Sequence, residues 1–179
     1  DAIVICDPIL GDDGHLFVEV EIAESLRDRL LSHSAIVTPN LFELSWLSGL
    51  EITSIEDAIL ACKTLRRLGP KWVICTSAWQ KDTWLHNIAV GPDGMVQIRV
   101  PFVSDKKIVP KGTGDAFAAI LLGHYLNHRD IPAALSWASA ALHGLIQGSI
   151  RQNSDELAII SERHQITAPT CIFPIENLG

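Results

Sequence analysis

The chain is predicted to fold as an α/β unit, a mainly parallel sheet with helices on both faces and an antiparallel hairpin at one edge. Three observations carry this expectation. Short apolar runs alternate with stretches of helical period through the first half of the chain. Two alternating segments are joined by Gly91-Pro92-Asp93-Gly94, a hairpin signature. Two alanine-rich segments that follow are apolar almost all round, so they need to be buried against other layers.

Ile3–Cys6 is a continuous apolar run, the pattern of a strand covered on both faces. Asp7-Pro8 ends it, and a loop rich in glycine and aspartate continues through Gly14. Ile22, Leu26 and Leu30, with charges between them, predict an amphipathic helix over Glu21–His33. Ala35–Thr38 is the next strand and stops at Pro39. Asn40–Leu47 reads as a short helix closed by Gly49. Ser54, with Asp57 three residues on, approximates a capping box for a helix to Leu68 and Gly69.

Trp72–Thr76 is the third strand, and Thr83–Val90 with Met95–Val100 forms the hairpin. A loop over Phe102–Lys111, holding Asp105, Lys106 and Lys107, leads to helices from Gly114 to about Asn127 and from Ile131 to about Gln147. The tail from Asn153 holds one more helix and a proline-containing end. Trp72, Trp79 and Trp84 around the third strand read as core or edge packing rather than a stacking platform.

The 179 residues, 47% hydrophobic and 20% charged, suit one domain with a substantial core. A net charge of −7 without any block of lysine or arginine argues against nucleic acid as a partner. No apolar run approaches the length of a membrane span, so no membrane partner is expected. Cys6, Cys62, Cys75 and Cys171 form no Cys-x-x-Cys pair, which fits reduced thiols in a cytoplasmic protein. The chain opens on a core-strand pattern with no initiator methionine, so it is expected to be the C-terminal portion of something longer.

Function concentrates in Lys111-Gly112-Thr113-Gly114-Asp115, which runs straight into an apolar helix. Glycines allow a tight turn, and the unpaired N–H groups of the helix start suit an anion. Asp115 then places a carboxylate beside that anion, which is the minimum apparatus for moving a phosphoryl group onto a hydroxyl. A second reading stands beside it, an ordinary turn in which Thr113 caps the helix and Asp115 favours its dipole.

The ends of the candidate parallel strands add polar groups: Asp7 and Asp12 after the first, Thr38, Asn40 and Glu43 after the second, Thr76 and Ser77 after the third. Ligands of doubly wound sheets gather beyond such strand ends. Carboxylate and amide oxygens beside a phosphate cradle are also what Mg²⁺ uses. His124 and His128 lie four apart on a helix with no third ligand in view, so a zinc site is not expected.

The segments DPILGD, TPNLFELSWLSG, GPKWVICTS and KGTGDAFAAILL resemble those of the pyridoxal kinases in the ribokinase-like superfamily, in that order and with similar intervals. The resemblance implies a ribokinase-like three-layer fold, incomplete at the N-terminus, and a single kinase domain over residues 1–179. It implies ATP-dependent phosphorylation of the 5′-hydroxyl of pyridoxal, pyridoxine and pyridoxamine, with ATP and a B6 vitamer as small-molecule substrates. Asp115 would accept the hydroxyl proton, and the N–H groups of Gly112, Thr113 and Gly114 would form the anion hole. Asn40 and Glu43 match an Asn-x-x-Glu motif that organises Mg²⁺ through water. Asp7, Thr38 and Thr76 match positions around a monovalent cation (K⁺ or Na⁺) and phosphate. Asp12 and Ser77 match phosphate-side positions, and Lys111 joins the nucleotide-binding set with Thr76 and Thr113.

Relatives are commonly dimers, so the resemblance leaves a homodimer open. Thr113, where sugar kinases of the superfamily carry alanine, and Asp115, where hydroxymethylpyrimidine kinases carry cysteine, favour the pyridoxal branch. A hydroxymethylpyrimidine-type kinase and a non-catalytic nucleotide-binding fragment are the alternatives. Roughly the N-terminal third or more of the family pattern is not matched. The 179 residues on their own are therefore expected to lack the vitamin-binding wall, to expose a sheet edge and to be inactive.

Overall fold

A computed structural model describes residues 2–103 and 110–179. The sequence expectations for Asp1 and for Asp105, Lys106 and Lys107 lie outside these described residues.

The strands are β1 (Ile5–Cys6), β2 (Gly11–Asp12), β3 (His15–Leu16), β4 (Ile36–Val37), β5 (Trp72–Lys81), β6 (Trp84–Gly91), β7 (Gly94–Pro101) and β8 (Ile175–Asn177). The α-helices are α1 (Val20–Ser25), α2 (Leu41–Ser48), α3 (Ile55–Arg66), α4 (Thr113–His128), α5 (Ile131–Arg151) and α6 (His164–Thr167). The main sheet runs β1-β4-β5-β6-β7-β8, and β2 and β3 pair separately. β1, β4 and β5 are parallel, whereas β5 to β8 are antiparallel.

Alternation along the strands feeds two cores, one on each face. Cys6, Val37, Val73, Cys75, Ile88 and Val90 point to the layer of α1, α2 and α3, where Leu44, Leu47, Ala61, Cys62 and Leu65 meet them. Ile36, Trp72, Ile74, Ala89, Val96 and Ile98 point the other way, to Phe117 and Leu121 of α4 and to Ala134, Leu135, Ala138, Ala141 and Leu145 of α5. Helices therefore cover both faces, as expected.

Several local expectations are corrected. The loop after Asp7 contains the short β2–β3 hairpin, turning through Asp13 and Gly14, both at positive φ. The helix expected over Glu21–His33 is α-helical only to Ser25, continues as a π-turn over Leu26–Leu30 and ends as a 3₁₀ turn over Leu31–His33. This widening turns Leu31 into the core while Leu30 stays exposed. β5 outruns its expected end at Thr76, because a bulge between Cys75 and Trp79 lets pairing with β6 resume. The tail supplies β8, which pairs with β7 and widens the antiparallel edge by one strand. α5 is buried on nearly all sides, but α4 is buried only along Phe117, Ala118, Ile120 and Leu121, and Leu126 faces out.

Trp72 packs in the core, while Trp84 lies at the sheet surface under the Arg99 guanidinium. The four cysteines are unpaired, and burial pushes the thiol of Cys6 up to about 11.

Helix α2 is held by its own N-terminus. The side chain of Asn40 accepts from the Glu43 backbone N–H (2.8 Å), and Oε2 of Glu43 accepts from the Asn40 N–H (2.9 Å), closing a capping box. Oε1 of Glu43 reaches back to accept from the Leu10 N–H (2.7 Å), and the Asn40 amide donates to the Gly11 carbonyl (2.8 Å). Glu43 is 4% exposed, so this carboxylate is a buried clamp between α2 and the segment leaving β1. Around α3, Ser54 caps through the Asp57 N–H, but Asp57 returns to the N–H and hydroxyl of Thr53.

Replacing Glu43 with Gln turns one acceptor into a donor facing a backbone N–H. Glu43→Gln is expected to cost about 1–3 kcal/mol, the penalty of an unsatisfied buried donor. Urea denaturation of the two proteins measures it, and equal midpoints would contradict the clamp.

Candidate active site

The carboxyl ends of β1, β4 and β5 open on the same side of the sheet, and the start of α4 stands against them. Asp7 follows β1 and Thr38 follows β4, and the parallel register of these strands sets the two side by side. The Thr38 hydroxyl donates to Oδ1 of Asp7 (2.9 Å). The Thr76 N–H donates to the Pro39 carbonyl (3.1 Å), joining the end of β5 to the same rim.

Gly112, not Thr113, occupies the N-cap of α4, with φ 82° in the left-handed region that glycine adopts without strain. Gly112 has no side chain with which to cap the helix. With Gly112 at the N-cap, Thr113 is the first helical residue and not the cap of α4, and the N–H groups of such a helix start suit an anion. A Cβ placed on Gly114 would lie 3.6 Å from Oδ2 of Asp7, so the first turn of α4 rests against that carboxylate. Burial raises the Asp7 pKa above the ordinary carboxylate value, the Thr38 hydroxyl opposes this, and the charge of Asp115 adds to it. Burial also raises the pKa of Glu43, opposed by its backbone hydrogen bonds from Asn40 and Leu10.

Beside this rim a cleft of about 160 Å³ is lined by Thr76, Ser77, Thr113 and Gly114 together with Leu85, Val100, Phe102, Phe117, Leu142 and Ile146. Its walls are largely apolar, with polar groups near the strand ends, the form of a site for a flat organic group with a charged tail. Three further polar residues line it that sequence reasoning missed: Asn87, Ser139 and His143. Their signal was available as polar residues at inward positions. Asn87 interrupts the alternation of β6, and Ser139 and His143 recur four apart on a buried helix.

The structure brings Asp7, Thr38 and Gly114 to one point and Thr76, Ser77, Thr113 and Gly114 to another that shares the start of α4, while Asp115 is exposed in the first turn of that helix. Asn40 and Glu43 lie behind Asp7, their polar atoms engaged with the backbone. Asp12 is exposed on the β2–β3 hairpin and binds the Asp13 N–H, outside the cleft lining. Lys111 is also outside that lining, and its backbone pairs with the tail through the Asp155 carbonyl (3.0 Å). Among the described residues, no group of three or more His, Cys, Asp and Glu is placed to cage a metal ion. The rings of His124 and His128 lie 4.3 Å apart, tilted by 34°. No helix among the described residues is long and apolar enough to cross a membrane.

This arrangement has known counterparts. A family model described as phosphomethylpyrimidine kinase matches residues 1–159. The pyridoxal kinase PdxY of Rubrobacter xylanophilus is 30% identical over 183 residues, covering 99% of this chain and 62% of its own length. That of Corynebacterium diphtheriae is 32% identical over 182 residues, covering 99% of this chain and 63% of its own. Among solved structures, the pyridoxal kinase of Leishmania donovani in complex with ADP and pyridoxine superposes with a TM-score of 0.89 at 29% identity, over 100% of this chain and 63% of that one. The chain therefore spans less than two thirds of the length of these relatives, and its fold is ribokinase-like. By the extent of the family match and the depth of the structural likeness, it belongs to the family of the phosphomethylpyrimidine and pyridoxal kinases.

Proposed function

We propose that this chain carries the nucleotide-binding and phosphoryl-transfer part of a kinase that moves the γ-phosphoryl of ATP onto the 5′-hydroxyl of pyridoxal, pyridoxine or pyridoxamine. The observation that carries the proposal is the start of α4 at Gly112, with Asp115 in its first turn and with Gly114 lying both against Asp7 and in the lining of an apolar-walled cleft. The similarity to a pyridoxal kinase seen with ADP and pyridoxine supports it.

In this reading the apolar walls hold the nucleobase, and Thr76, Ser77 and Thr113 face the phosphates. Phosphoryl transfer demands mainly position and charge neutralisation. The N–H groups of Gly112, Thr113 and Gly114 point at the oxygens of the transferring group, where negative charge is greatest. Asp115 takes the proton of the attacking hydroxyl as the new P–O bond forms and the β–γ bridge bond breaks.

The donors at the rim are all oxygen, from Asp7, Thr38 and Asp115, which fits a hard cation held largely by phosphate oxygens and water. Mg²⁺ bound there would offset phosphate charge. Asp7 would hold it, and Glu43 and Asn40, whose atoms are already engaged, would act through water. A monovalent cation, K⁺ or Na⁺, would sit by Asp7, Thr38 and Thr76.

The assay is formation of pyridoxal 5′-phosphate by absorbance, on the protein at its natural length, with hydroxymethylpyrimidine in parallel. Faster turnover of the pyrimidine would support the second reading, which the description of the family model favours. Nucleotide binding with neither product would leave a nucleotide-binding unit alone. Asp115→Asn is expected to hold ADP affinity within a few-fold while lowering turnover by about 10²–10⁴. Near-normal turnover of that variant would remove Asp115 as the base.

Asp7 gives a prediction with a defined sign. Its folded pKa lies above the ordinary value, so the folded chain holds the proton more tightly than the unfolded one. Stability therefore falls as pH rises from the unfolded to the folded pKa, and remains lower above that window. Asp7→Asn keeps an acceptor for Thr38 and removes the charge. Its melting temperature is expected to exceed that of the parent at pH 7, with the gain shrinking as pH falls through the carboxylate range. A gain that is independent of pH, or a loss at pH 7, would contradict this.

A further inference from the structure

Ser77 is the one residue of the cleft wall in the left-handed backbone region, with φ 50°. For a residue with a Cβ this conformation is unfavourable, and it persists only where the surroundings impose it. The surroundings here are specific. Ser77 lies in the bulge between Cys75 and Trp79, where the ladder to β6 is interrupted and its N–H has no strand partner. That N–H donates instead to the side-chain oxygen of Asn87 (2.8 Å), ten positions away on β6. The other end of the same amide donates to the hydroxyl of Ser139 on α5 (3.0 Å). Asn87 is 8% exposed and Ser139 is 2% exposed, so the bond between them is buried, while the bond to the exposed Ser77 is only partly so.

An amide is the side chain that fits this place. It offers an acceptor to the bulge and a donor to the helix in one plane, where a carboxylate lacks the donor and an aliphatic residue lacks both. The bulge is also where the wall changes direction, since Thr76 upstream is bonded to the Pro39 carbonyl and the chain beyond pairs with β6 again. Bulges beside functional sites commonly re-aim the backbone in this way.

The geometry points to Asn87 as a positioning residue: it locks Ser77 in the left-handed conformation and so fixes the Thr76–Ser77 edge of the cleft in the shape that receives the nucleotide phosphates. Ser139 in turn fixes the amide's orientation. The inference rests on the proposed nucleotide role of the cleft and adds a residue that acts through Ser77 rather than by touching the ligand.

Glycine adopts φ near 50° without help, so the lock should matter only while residue 77 carries a side chain. The test is a double-mutant cycle of Asn87→Ala and Ser77→Gly in the natural-length protein, read by calorimetric titration with ADP. Asn87→Ala is expected to weaken ADP binding about tenfold in the parent and less than threefold in the Ser77→Gly background. The Ser77 amide proton, followed by NMR, should lose exchange protection in Asn87→Ala.

A purely structural role, through the lost bond to Ser139, would weaken binding equally in both backgrounds and overturn the inference. Unchanged ADP affinity in Asn87→Ala would overturn it too. Failure of the parent to bind ADP would instead refute the nucleotide reading itself, and with it the positioning role. Retained protection of the Ser77 amide in Asn87→Ala would refute the lock whatever the ligand does.

Discussion

One buried carboxylate organises the end of the sheet at which the strands β1 and β4 finish. Glu43 accepts backbone N–H groups from Leu10 and Asn40, which belong to segments leaving different strands. Without that bridge the segment after β1 would have few ties to α2, because β1 and β4 are each only two residues long. The position of Asp7 depends on it, since Asp7 sits between β1 and the clamped Leu10. A charge with so little water needs several donors to be tolerated, and the backbone supplies them. The same residue that would influence a cation at the rim also holds the rim together.

The two cores divide the labour on either side of the sheet. The layer of α1 to α3 fixes the strand ends that carry Asp7, Thr38 and Thr76. The layer of α4 and α5 brings the helix start at Gly112 and the apolar wall of the cleft, with Phe117 serving both the core and the cleft. The site lies where these layers meet over the edges of β1, β4 and β5. Its chemistry thus depends on packing that no single element provides.

Much of this was legible in the residues. The turn at 111–115 announced a helix start, though Gly112 and not Thr113 takes its N-cap, and the residues from Asn40 announced the short helix α2. Period-two and helical patterns located most elements. What remained hidden was non-local. β8 carries no pattern of its own and is a strand through its pairing with β7, where Gln97 and Arg99 also meet the Glu176 side chain. The bulge in β5 arises from a conflict between pairing and the Asn87 amide, which a single-strand pattern does not encode. The outward turn of α4 follows from α5 taking the central place, a choice between two equally apolar helices. Asn87, Ser139 and His143 look like ordinary breaks in apolar runs until the fold sets them on one wall.

The hydrogen bonds that shape the cleft have a consequence for how the chain reaches its native state. Thr38 and Asp7 are 31 positions apart, Leu10 and Glu43 are 33, and Asn87 and Ser139 are 52. None of them can form from a local nucleus, and each waits for a long loop to close. The helices α3 and α5, rich in near-neighbour contacts, can order early, whereas the rim of the site exists only once both layers have docked. Binding competence is accordingly a late event in folding, and a partly assembled chain would display its apolar surface well before it could hold a ligand.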